Sequence, residues 1–183
     1  MRTSELVIWG MALGGIGAIS LARLADLAWR PSASQARAVA YHATVFVLVL
    51  ALCGVQAALG SGPASRTLHA AQVMLGPLCL AASNLWIRGW LNARQRDRTM
   101  AVALQVSALA LPLLGGACLL LPRAQQLPAA ALLSLLGSSL MLWLMVRACL
   151  MGDRLAATMA GGIALTLPAI AGLYAQAMQL PGM

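Results

Sequence analysis

Six stretches of this 183-residue chain run for the thickness of a bilayer almost without charge, at approximately residues 6–25, 38–59, 68–87, 100–121, 129–147 and 155–177. About 20 apolar residues cross a hydrocarbon core. Lipid cannot satisfy exposed backbone groups, and no strand alternation is present, so each stretch is expected to be a helix. The predicted fold is therefore all-α, an integral membrane bundle of six transmembrane helices forming one domain over residues 1–183. With 61% hydrophobic and 9% charged residues, the short connectors leave no room for a soluble catalytic domain. Rossmann, P-loop and hydrolase enzymes are excluded, and neither enzymatic activity nor a cofactor is expected.

The charge pattern sets the orientation. All 12 basic residues are arginine, against Glu5, Asp26, Asp97 and Asp153, for a net charge of +8. A retinal Schiff base needs a lysine amine, so a rhodopsin-like receptor is excluded. The arginines bracket the spans, which marks topology signals and contacts with the lipid bilayer rather than nucleic acid. The first, third and fifth connectors carry nine arginines (Arg23, Arg30, Arg37; Arg88, Arg94, Arg96, Arg98; Arg147, Arg154) and the second and fourth only Arg66 and Arg123. The positive-inside rule puts the first set in the cytoplasm and the N-terminus outside. The N-terminal stretch lacks a small-residue cleavage site and is read as a retained helix. Six spans leave the C-terminus outside as well, so a seventh helix after Met183, in a longer protein, is expected.

His69, Gln72, Gly76, Cys79 and Ser83 recur at helical spacing and form one stripe that should face protein or a cavity. Cys53 and Gln56 reach the same outer half from the second span, and Tyr174 and Gln176 from the sixth. With Glu5 and Trp9, the residues His69, Gln72, Gln56, Tyr174 and Gln176 make a candidate outward-facing pocket for a small polar or amphipathic ligand. The alternative is interhelical hydrogen bonding that holds the bundle together, at about 0.5–2 kcal/mol per bond. His42 belongs to the inner end of the second span and His69 to the outer end of the third, so the two cannot share one metal or haem; each can simply bond backbone or water at headgroup level.

Pro77, Pro112 and Pro168 fall inside spans, where each frees a carbonyl and makes a kink, either static or a hinge. Gly10 and Gly14 allow close helix approach, within the bundle or in a homodimer. Trp9, Trp29, Trp86 and Trp90 suit an interfacial belt. Cys53, Cys79, Cys118 and Cys149 lack the CxxC spacing of redox or metal sites and read as small apolar residues. The cluster Arg94 to Arg98 is a topology signal or a dock for a soluble partner or anionic lipid. Asp26, Asp97 and Asp153 have no neighbouring histidine with which to do acid–base work.

The outward N-terminus, the nearly loopless bundle, the connector Arg94 to Arg98 and the outer polar face at His69 and Gln72 form a layout that resembles the N-terminal membrane sensor modules of bacterial signalling proteins. In those families the module precedes a diguanylate cyclase or histidine kinase domain. The resemblance implies a bacterial inner-membrane protein that senses a small ligand or membrane state and transmits it by helix rearrangement, with a cytoplasmic signalling domain as partner. Two alternatives stay open. One is a small-solute transporter, although the spans lack a central charged residue of the kind that couples ion movement. The other is an accessory subunit of a larger respiratory or photosynthetic complex, with His42 or His69 ligating a pigment singly.

Overall fold

The computed structural model describes residues 3–52, 63–94 and 97–179, without the side chains of residues 3–9, 63, 90–94 and 179. They form six helices: α1 (Thr3–Trp29), α2 (Ala33–Leu52), α3 (Pro63–Arg94), α4 (Arg98–Cys118), α5 (Arg123–Leu150) and α6 (Arg154–Gln179). Each is long and apolar enough to cross a membrane. The expected spans fall on these helices with two exceptions: residues 53–59 of the second lie outside the described residues, and the fourth ends at Cys118, with 119–121 in a turn rather than in the helix.

Most of the helices overrun the apolar runs. α3 begins on Pro63, whose fixed φ and missing N–H suit a first helical position. α5 begins at Arg123 rather than near 129, because Pro122 and not Pro128 marks its start. Within the first turns, Pro128 removes only a bond to the exposed Ala124 carbonyl, and the helix tolerates it. At the other turns, polar side chains take over the unpaired N–H groups. Asp97 caps α4 by accepting from Met100 N at 3.1 Å and lies 3.8 Å from the Arg147 guanidinium of α5. Asp153 accepts from Leu155 N at 2.9 Å at the start of α6. The preceding Gly152 has φ +92°, a left-handed conformation that only glycine adopts freely.

Neighbouring helices run up and down. Tyr41 meets Trp86 and Ala51 meets Gln72, so α2 and α3 are antiparallel. Asn84 bonds Ser107 at 3.0 Å while Pro77 lies against Gly115, which does the same for α3 and α4. α3 is the central element, flanked by α2 and α4 and crossed on a third side by α5, with α6 against α5 and α1 against α2. This threading gathers Arg23, Arg30, Arg37, Arg88, Arg147 and Arg154 at one end of the bundle, and leaves Arg66 and Arg123 at the other.

The polarity is the reverse of a water-soluble domain. Ser65, Gln72, Ser83, Asn84, Ser134 and Ser138 are buried, while Leu109, Leu113, Leu132, Leu136 and Leu165 stand exposed on the outside. In water such a surface would aggregate; against hydrocarbon it costs nothing, and buried hydrogen bonds between helices become part of what holds them together. The architecture is that of a multi-pass membrane protein.

Candidate functional site

The polar stripe on α3 faces the bundle interior, His69 and Gln72 against protein and Gly76, Cys79 and Ser83 at the edge of an internal space. At its start His69 Nε2 lies 3.0 Å from Gln126 Oε1 on α5. The amide nitrogen of Gln126 already donates to the carbonyls of Leu119 and Leu121, both at 2.9 Å, so its oxygen accepts and His69 is the donor. One turn on, Gln72 is 2% exposed and donates to the Ala51 carbonyl of α2 at 2.8 Å, leaving its Oε1 buried without a partner. Ser83 bonds the Met141 sulfur at 3.4 Å and Asn84 bonds Ser107, which carries the stripe to the other end.

Tyr174 of α6 joins this network, with its hydroxyl 3.5 Å from Ser134 Oγ and 3.5 Å from the Gln72 carbonyl. Of the seven residues expected to bind a ligand, the structure thus brings together Gln72 and Tyr174, with His69 one turn away and bonded elsewhere. Gln176 is partly buried one turn from Leu173. Gln56 lies outside the described residues, as do the side chains of Glu5 and Trp9. His42 sits near the other end of the bundle and donates from Nδ1 to the Ala38 carbonyl at 2.7 Å. Among the described residues no three His, Cys, Asp or Glu side chains group as metal ligands.

From Gly76 onward the stripe borders an apolar space. A cavity of about 470 Å³, within the range of about 300–1,000 Å³ typical of ligand sites, separates α2 from α6 above a floor of α3 and α5. α2 contributes Tyr41, Val45, Leu48 and Val49; α3 contributes Gly76, Cys79, Leu80, Ser83, Trp86 and Ile87; α1 contributes Ile16. On α6 the lining runs Met159, Gly162, Ile163, Thr166, Ala169, Ile170 and Leu173, a three-to-four spacing that presents one face. Among the described candidates (His69, Gln72, Tyr174 and Gln176) only Tyr174 lines it.

The cavity has unlike ends. α2 and α6 meet through Leu48, Leu52, Leu173 and Ala177. Just beneath, Tyr174 seals that end against Ser134, and a Cβ on Gly76 would overlap both hydroxyls. Toward the arginine-rich end the space between the two helices reaches Tyr41 and Trp86, whose rings stack at 5.6 Å with His42 edge-on at 5.1 and 5.9 Å. Trp86, expected to be a belt residue only, is a wall of the cavity. The signal was the small-residue face Gly162, Thr166 and Ala169 on α6, which reads as ordinary membrane-helix composition unless one knows that α2 stands opposite.

The chain matches no protein-family model, no curated protein and no solved structure.

Proposed function

We propose that this chain is a non-enzymatic membrane module that senses a ligand or the state of the bilayer through the space between α2 and α6, and transmits it by moving α6. The observation that carries this reading is how α6 is held. Its first half packs through Ala156 and Ile163 into the core built by α3, α4 and α5, and its second half meets α2 through Leu173 and Ala177. Pro168 lies between the two halves, on an exposed face, and removes the backbone bond to the Ala164 carbonyl. Occupying or emptying the cavity at that break changes the angle between the halves. By contrast, Pro77 is buried with its ring fitted against Gly115, a fixed wedge rather than a hinge.

The gathering of arginines at one end supports a cytoplasmic position for that end and an outward N-terminus. A bacterial inner membrane and a cytoplasmic output domain follow from the resemblance of the layout to signalling modules. Spin labels at Ala40Cys and Ala157Cys, in a chain whose native cysteines are replaced by serine, report the α2–α6 separation at the open end. Across bilayers of different thickness and charge the distance distribution is expected to shift by roughly 1–2 Å or more, the scale of helix shifts in switching proteins. One unchanging distribution would rule the reading out.

A further inference from the structure

We infer that the cavity between α2 and α6 takes one hydrocarbon chain of an anionic membrane lipid, with the headgroup at the Arg37 end and the chain running toward Tyr174. This names the ligand of the sensing site proposed above and rests on that reading.

Three observations select the occupant. The lining from Met159 to Tyr174 spans sixteen residues of α6, a slot on the order of 20 Å long at 1.5 Å per residue. The volume of about 470 Å³ holds roughly 15 groups of the size of a water or methylene at about 30 Å³ each. That matches one chain. A further helix, about 10 Å across with its side chains, would need more than twice the volume over that length.

The walls also select against a polar solute. Ser134 and Tyr174 are turned toward each other, Thr166 donates to the Ile163 carbonyl at 2.8 Å, and Ser83 is turned to the Met141 sulfur. Apart from the Cys79 thiol and Gly76, what remains facing the space is aliphatic or aromatic.

Direction comes from the ends. The Tyr174 end is sealed. At the other end Arg37, one helical turn beyond Tyr41, lays its guanidinium over Gly89 of α3, where a Cβ would collide with it. Among the described residues no ion pair joins a carboxylate to Arg37: Asp26 lies against Arg23, Asp97 against Arg147, and Asp153 accepts from the Leu155 and Ala156 N–H groups. An exposed guanidinium without a carboxylate partner among the described residues, one turn beyond the Tyr41 wall of an apolar slot, suits a phosphate headgroup. Gly162, Thr166 and Ala169 are exposed at the rim as well as lining the space, so a chain enters sideways from the bilayer.

The test uses the full chain with Trp86 as the single tryptophan, Trp9, Trp29, Trp90 and Trp143 being replaced by Phe, in phosphatidylcholine nanodiscs. Phosphatidylglycerol or phosphatidylcholine carrying a nitroxide near the top of one chain is added, and Trp86 fluorescence is read. Quenching by the phosphatidylglycerol is expected to saturate at low mole fraction, with half-saturation about tenfold below that of the phosphatidylcholine, the size of one charge-assisted contact. Arg37→Gln should erase the difference between the two lipids. Gly162→Phe and, independently, Thr166→Leu should make quenching proportional to bulk lipid, while Leu165→Phe, on the outer face of the same helix, should change nothing. Helical circular dichroism confirms that each variant folds.

Quenching proportional to bulk lipid in the parent chain, or saturation that survives both cavity-filling variants, would overturn the inference. A preference for phosphatidylglycerol that survives Arg37→Gln would overturn its headgroup half. The spin-label distance needs no labelled lipid, so helix movement without saturable quenching would sink the ligand and spare the sensing.

Discussion

The hydroxyl of Tyr174 stands 3.5 Å from Ser134 Oγ where the tyrosine of α6 closes one end of the interior cavity against α5. Both residues are buried, Tyr174 at 1% exposure and Ser134 at 1%. At 3.5 Å the contact is longer than an ordinary hydroxyl–hydroxyl bond, so the ring and not the hydroxyl does most of the sealing. Tyr174→Phe should therefore cost no more than about 1 kcal/mol, and Tyr174→Ala about 3–5 kcal/mol. Denaturant unfolding in mixed micelles measures both.

Gly76 is where α3 comes closest to this pair. A methyl group there would overlap the Tyr174 and Ser134 hydroxyls, so Gly76→Ala is expected to destabilise by about 1–3 kcal/mol. Removing the tyrosine hydroxyl relieves part of the clash. The double variant Gly76→Ala with Tyr174→Phe should accordingly be more stable than the sum of the two single changes, by a coupling of about 0.5–1 kcal/mol or more.

Asp97 serves two helices at once, capping α4 through Met100 N and facing Arg147 of α5. Asp97→Asn keeps an oxygen for the cap and loses only a partly exposed ion pair, worth about 0–1 kcal/mol. Asp97→Ala loses the cap as well and should cost about 1–2 kcal/mol in total. A chain in which the two substitutions are equally damaging would place the ion pair, not the cap, in the leading role.

Much of the fold was legible from composition alone, because a bilayer demands helices and about 20 uncharged residues fix their number. Helix ends were less so. Pro128 looks like a boundary in sequence, yet it falls six residues inside α5, since Pro122 already starts the helix and no apolar signal distinguishes the two. The stripe from His69 to Ser83 was visible by its spacing, but its partners were not. Gln126, Ser107 and Ser134 lie in other helices, and only the threading of the bundle brings them into reach. The cavity was the least legible feature, for it is made by where α2 and α6 fail to touch.

Glycines separate into two kinds that sequence treats alike. Gly115 and Gly137 have Pro77, Leu80 or Leu111 within about 3 Å of where a Cβ would sit, at 3.1, 3.1 and 3.0 Å respectively, whereas Gly10 and Gly14 have nothing within 4 Å. Gly115→Ala and Gly137→Ala should lower stability, while Gly14→Ala should leave it unchanged or raise it by up to about 1 kcal/mol through helix propensity. A loss on Gly14→Ala comparable to that at Gly115 would reveal a partner for α1.

The most direct test is whether the space between α2 and α6 belongs to the lipid phase or to water. A nitroxide at Thr166Cys, in the cysteine-free chain in bilayers, reports its collisions with oxygen, which concentrates in hydrocarbon, and with a water-soluble nickel chelate. An apolar slot open to the bilayer gives high oxygen and negligible nickel accessibility at Thr166, matching the outward-facing Leu165. Strong collision with the nickel chelate at Thr166 but not at Leu165 would mean a water-filled path through the bundle and would contradict the lipid-side cavity.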